Sequence, residues 1–225
     1  AGRAPIGRLT RAFAPAGAIL AYHGVSSPAE PSASIAHVDR DQLLRDIDAF
    51  RAELDVVPLR TLLARHDAGE STAGQVALTF DDAYASLVPL RDALRERRLP
   101  ITLFATTGFA GAPFWWDRID DLHPRVSPAR WRDFEMEIGL DETYRVGQPL
   151  AHGPLRPLRQ WLLASSRGRW LERHDFALAR LEAEVGFRTA QRPMTSPELM
   201  AFARDPLVDV GVHTRSHPVL PLLDP

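Results

Sequence analysis

Apolar residues follow two rhythms along this chain. Short runs bounded by polar residues or proline occur at Ala18-Ile-Leu-Ala-Tyr22, Val56-Val-Pro-Leu59, Val76-Ala-Leu-Thr-Phe80, Ile101-Thr-Leu-Phe-Ala-Thr106 and Leu207-Val-Asp-Val-Gly-Val212. Runs of this length predict strands of a sheet covered on both faces. Between them the apolar positions fall three and four apart, as one face of a helix requires. Leu43, Leu44, Ile47, Phe50 and Leu54 make one such face, capped by Asp39 or Asp41. Leu87, Leu90 and Leu94 make another, in a helix that stops before Pro100, and a further helix is expected near Leu59 to His66. Thr195-Ser-Pro-Glu198 reads as a capping box opening a helix that ends before Asp205-Pro206. Strand and helix alternate, which predicts an α/β fold built of parallel βαβ units.

Two segments depart from that rhythm. Residues 1–17, rich in Arg, Gly, Pro and Ala, read as a flexible N-terminal arm ahead of a domain over 18–225. From about 112 to 193 no strand–helix unit is evident. That segment opens on Trp115-Trp116, carries many Arg and Pro, and has helical stretches near 155–173 and 176–185. It is expected to be a mainly helical insertion. His123, His152 and His174 within it lack ligand spacing and read as solvent-facing or capping residues.

Composition narrows the chemistry. At 225 residues, 45% hydrophobic and 25% charged, the chain has the make-up of an ordinary globular domain. A formal net charge of −2 gives no reason to expect nucleic acid as a partner. All 27 basic residues are Arg, so no lysine nucleophile or Schiff base is available. With no Cys there is no disulfide, thiolate metal site or cysteine catalysis. The apolar stretch at Ala18–Ala21 is far too short to span a membrane. There is no glycine-rich phosphate loop and no Gly-x-Ser-x-Gly elbow.

What remains is chemistry by carboxylate and imidazole. The Val76–Phe80 run ends in Asp81-Asp82, at the strand edge where α/β folds build their sites. A turn starting there could aim both carboxylates into one cleft. The plainer reading is that they cap the next helix. Leu207–Val212 runs into His213-Thr-Arg-Ser-His217-Pro218, whose two histidines, four apart, would face the same way on one helical turn. Two imidazoles and one carboxylate form a recurring three-ligand set for zinc and similar metals, with positions left open for water and substrate. His23, delivered by the first strand, reads either as a packing residue or as a lining of that cleft. Trp115 and Trp116 offer faces that could stack on sugar rings, or could anchor the insertion. His23, Tyr84 and Trp115 are the candidate substrate-contacting residues.

Thr79-Phe80-Asp81-Asp82 and His213-Thr214-Arg215-Ser216-His217-Pro218 resemble the first two motifs of the polysaccharide deacetylases, the NodB-homology or carbohydrate esterase family 4 proteins. Tyr22-His23-Gly24-Val25 is similar to the opening strand of many members, and some have a Phe-Trp-Trp-Asp segment like Phe114–Asp117. The resemblance runs from about Ala18 to the C-terminus and implies a distorted (β/α) barrel. It implies a divalent metal held by Asp82, His213 and His217: zinc, with cobalt, nickel or iron also suited. Asp81 is then the general base, and N-acetyl groups of a carbohydrate are hydrolysed to acetate and a free amine. Which aspartate binds metal is carried by the resemblance, since spacing alone leaves it open. One departure is Ala83, where the family usually has Gly, so the turn there is expected to differ.

Later family motifs, an Arg-Pro loop and a C-terminal His, have no counterpart before Pro225, and there are fewer strands than a complete barrel needs. The domain is therefore expected to be incomplete, truncated after the second motif. The rival reading is a metal-binding fragment or scaffold without hydrolytic activity. A metal-dependent hydrolase of another barrel family is disfavoured, because the first strand offers only His23 rather than a His-x-His pair.

Overall fold

The computed structural model describes residues 16–29, 32, 34, 36–140, 172–186 and 191–218. In chain order its elements are β1 (Ala18–Tyr22), β2 (Val25–Ser26), β3 (Val38–Asp39), α1 (Arg40–Arg51), β4 (Asp55–Val56), α2 (Leu59–Asp67), β5 (Gln75–Asp81), α3 (Arg91–Glu96), β6 (Ile101–Ala105), α4 (Trp115–Leu122), α5 (Pro128–Glu137), α6 (Glu172–Val185), α7 (Ser196–Ala203) and β7 (Val208–Val212). All pairings within the main sheet are parallel, in the order β1-β5-β6-β7, with β4 paired to the start of β5. This is the expected α/β architecture. Among the described residues β1 and β7 end the sheet without pairing to each other, so no closed barrel is seen.

The register matters more than the strand count. Tyr22 pairs with Phe80, Asp81 with Phe104 and Ala105 with Val212. The C-terminal ends of four parallel strands are thus level, and the residues just beyond them share one rim of the sheet. Central β5 is buried from Gln75 to Phe80, which is why its sequence is a continuous apolar run. Leu78, Phe80, Ile101 and Leu103 pack with Leu43 and Ile47 of α1 and with Leu87 and Leu90. Full burial of each such side chain contributes about 1.5–3 kcal/mol. β7, expected to be buried, instead leaves Val210 and Val212 exposed, because no further strand or helix covers that edge among the described residues.

Local chemistry accounts for several boundaries. Asp39 caps α1, its carboxylate accepting from the Gln42 N–H at 2.8 Å. The strand expected over Val56–Leu59 is shorter, because Pro58 has no N–H to donate and instead leads into α2. The helix expected over Leu87–Leu94 begins as a 3₁₀ turn, Ala85–Leu90, with Pro89 inside it, before α3. Of the arm expected over 1–17, residues 1–15 lie outside the described residues, and Gly17 donates to Thr72 Oγ1 at 2.9 Å.

The segment after β6 holds α4, α5 and α6, which bury a second cluster around Trp115, Ile119, Leu122, Trp131, Phe134 and Leu178. Arg118 fastens α4 to α6, with Nε 2.6 Å and Nη2 2.9 Å from the two Glu182 oxygens and Nη1 on Asp175. The stretch expected to be helical near 155–173 lies outside the described residues except for the start of α6.

The predicted capping box is present: Thr195 N–H donates to Glu198 Oε2 at 2.7 Å, and Glu198 N–H to Thr195 Oγ1 at 3.4 Å. The Arg192 guanidinium, helped by Thr195, holds the Glu198 carboxyl down at about 2. A folded value below the unfolded one contributes stability above the unfolded value of about 4.3, which is lost as pH falls toward about 2. In urea unfolding at pH 6 and pH 3, Glu198→Gln should therefore lose less stability over that interval than the parent chain. Equal losses would show that the pair contributes nothing.

Candidate metal centre at the sheet rim

The end of β5 turns abruptly. Asp82 and Ala83 both adopt left-handed backbone, at φ 66° and 48°. An L-residue pays roughly 1–2 kcal/mol for that conformation, and such outliers concentrate at functional sites. Ala83 is the position where the resemblance calls for Gly, and its positive φ supplies the physical reason. The turn is held by Met194 N–H donating to the Ala83 carbonyl at 2.8 Å, and by Ala85 N–H donating to Arg192 O at 2.8 Å.

This turn separates the two carboxylates. Asp82 points inward and is 2% exposed, while the Asp81 side chain keeps 23% of its surface. Neither caps a helix: the residue before the 3₁₀ turn is Tyr84, with no side-chain cap bond. Asp82 Oδ1 instead lies 3.2 Å from the Thr106 hydroxyl, which is 3.3 Å from His213 O, so that hydroxyl can donate to either oxygen.

The second segment arrives from β7. His213 N–H donates to Ala105 O at 2.9 Å, extending the β6–β7 pairing by one residue. The chain beyond is a tight turn rather than the expected helical one, with Thr214 at φ 62° and His217 at φ 49°. His217 N–H donates to Thr214 Oγ1 at 2.9 Å, closing that turn. It is braced from the 3₁₀ turn after β6 by Thr107 N–H on Thr214 O at 3.2 Å and Gly108 N–H on Arg215 O at 2.8 Å. A Cβ on Gly108 would run into the Arg215 carbonyl. Gly108→Ala should therefore push the histidine turn away, destabilising the fold by about 1–3 kcal/mol and weakening metal uptake. Thermal unfolding and metal titration check this; an unchanged Tm and affinity would contradict it.

The two segments converge. His213 Nε2 and His217 Nε2 are 3.0 Å apart, and Asp82 Oδ1 lies 3.9 Å and 3.7 Å from them. These three atoms form a group that could hold a metal ion. Separations of 3.0, 3.7 and 3.9 Å define a circle of radius about 2.1 Å, so one point sits at a zinc–nitrogen or zinc–oxygen bond length from all three. Burial raises the Asp82 carboxyl above its ordinary range against the opposing pull of His217, His23 and His213. Burial likewise lowers His217, against the pull of Asp82. A buried carboxylate facing imidazoles is short of positive charge, and a divalent cation would supply it. The donor set fits.

The other expected site residues take distinct places. His23 Nε2 lies 4.0 Å from Asp81 Oδ2, and both flank the cluster with side chains partly open to solvent. Tyr84 has no exposed surface; its hydroxyl donates to Asp117 Oδ2 at 2.5 Å. Trp115 packs into the helical cluster. Its neighbour Trp116 is only partly buried against the same cluster and reaches the metal centre, its ring 4.9 Å from that of His217 and stacked at 4.4 Å on Phe114. Thr106 and Asp117 were not singled out from the sequence. Thr106 had a readable signal, a polar residue ending a buried strand at the site edge; Asp117 had none beyond the Trp-Trp-Asp string.

What the rim defines is a three-donor cluster of metal-ligating type flanked by a second carboxylate–imidazole pair. Searches against family models and against curated proteins find no match. Among solved structures, the chain is similar to a de-N-acetylase from Aggregatibacter actinomycetemcomitans, at 13% identity and TM-score 0.36, over 92% of this chain and 99% of that one. It is also similar to IcaB from Ammonifex degensii, at 19% identity and TM-score 0.39, over 88% and 91%. At these scores the likenesses fix neither fold nor activity here.

Proposed function

We propose that this chain is a metal-dependent hydrolase removing N-acetyl groups from an amino-sugar polymer or related carbohydrate, at a non-peptide carbon–nitrogen bond. The observation that carries the reading is the convergence of Asp82, His213 and His217 on one point, with Asp81 and His23 beside it. The motifs containing these residues are those that resemble the polysaccharide deacetylases.

Amide hydrolysis needs an activated water, a stabilised oxyanion and a proton for the departing nitrogen. A divalent ion held by Asp82, His213 and His217 would supply Lewis acidity toward the carbonyl and would lower the pKa of water. Asp82 and the two imidazoles hold, and Thr106 orients Asp82. Asp81, more open than Asp82, accepts the proton of the attacking water as general base. His23, 4.0 Å from Asp81, is placed to carry a proton to the leaving nitrogen. With Tyr84 and Trp115 buried, substrate contact falls to His23 and to Trp116. Zinc suits the donor set, as do cobalt, nickel and iron.

Metal analysis of the purified chain, coupled to acetate release from a panel of N-acetylated glycans, tests the proposal. Bound metal with released acetate supports it. Bound metal without acetate from any glycan favours a non-catalytic metal-binding scaffold.

A further inference from the structure

Behind the cluster lies a buried polar chain that the reaction does not use. Tyr84 follows the Asp82-Ala83 turn directly and is fully buried. Its hydroxyl donates to Asp117 Oδ2 at 2.5 Å and accepts from Trp116 Nε1 at 3.1 Å. Asp117, also without exposed surface, sits in the first turn of α4. The Trp116 indole, fixed through that N–H and by stacking on Phe114, lies against the His217 ring. On the far side His37, its side chain 1% exposed, packs edge-on to Tyr84 at 4.6 Å and places Nε2 3.8 Å from Asp117 Oδ1. The Gly24 backbone leaves room for it: a Cβ there would meet His37 Nε2 at 2.6 Å.

Two of the three donors thus lean on one anchor. Asp82 is tied to it through the backbone turn that leads into Tyr84. His217 is tied to it through the face of Trp116. Buried polar groups are costly unless paired, and the pairing of the Tyr84 hydroxyl with Asp117 and Trp116 fixes their geometry.

We infer that Asp117 and Tyr84 are positioning residues that hold Asp82 and His217 at ligand separation, so that the helical segment after β6 sets the metal affinity of a site it does not itself ligate. This rests on the metal reading above. Tyr84→Phe removes the hydroxyl linking Asp117 to Trp116. Asp117→Asn keeps an oxygen that can accept from Tyr84, whereas Asp117→Ala keeps none. Loss of an outer partner of a metal ligand typically costs about 10–100-fold in affinity.

The test is competitive titration of zinc against a chromophoric chelator, with Tm, kcat and KM, for the parent chain and the variants. Leu181→Ala, in the core of the helical cluster, serves as a control for stability loss alone. Tyr84→Phe and Asp117→Ala should bind zinc about 10–100-fold more weakly, with kcat reduced and KM little changed; Asp117→Asn should recover most of the affinity. Should Tyr84→Phe fold poorly, Trp116→Phe breaks the same link from its other end and should also weaken zinc binding. Parent-like affinity in Tyr84→Phe, or an equal loss in Leu181→Ala, overturns the positioning role. A parent chain that takes up no zinc overturns the metal reading itself.

Discussion

Asp82→Ala and His217→Ala are each expected to leave the chain folded, stripped of metal and inactive. The affinity loss should exceed the roughly 10–100-fold that removing an outer-sphere partner costs, because a donor atom itself is gone. In Asp82→Ala the imidazoles at 3.0 Å lose the negative charge that offsets a cation. In His217→Ala the carboxylate remains buried with one fewer imidazole beside it. Both positions have positive φ. Replacement by alanine keeps the Cβ and so does not relax the backbone. Metal content after dialysis, read with circular dichroism, separates loss of the ion from loss of the fold. Full metal occupancy in either folded variant would contradict the ligand assignment.

Asp81→Asn should behave in the opposite way, retaining the ion while turnover collapses. Asp81 lies outside the three-donor group and pairs instead with His23 at 4.0 Å. Asparagine keeps the shape and one acceptor but cannot take a proton at neutral pH. A positioned general base contributes about 10²–10⁴-fold, so kcat should fall by that factor with metal content unchanged. Steady-state kinetics on an N-acetylated glycan, alongside metal analysis, checks this. Loss of metal in Asp81→Asn would mean that the two aspartates exchange roles.

The strands were legible because their apolar runs are compact. All five proposed from the sequence join the main sheet, and β5 and β6 are buried as such runs require. The two ligand segments were legible for a related reason, since each follows a compact apolar run directly, although only β5 of the two strands is buried. What stayed hidden depends on contacts made far along the chain. The exposure of β7 follows from its place at the sheet edge, which no pattern within Val208–Val212 reveals. The backbone at Asp82, Ala83, Thr214 and His217 is left-handed without a glycine to announce it. Trp115 and Trp116 are identical in composition terms, yet Trp115 is buried in the helical cluster while Trp116, at its margin, also reaches His217. Tyr84, a candidate substrate contact from the sequence, is buried with its hydroxyl taken by Asp117, 33 positions further on.

The most direct measurement is X-ray absorption at the zinc edge of the metal-loaded parent chain. Two imidazole nitrogens and oxygen donors at about 2.0–2.1 Å, with no sulfur, are predicted from Asp82, His213 and His217. A shell with one imidazole or none, or a chain that takes up no zinc, would contradict the convergence on which the proposed activity depends.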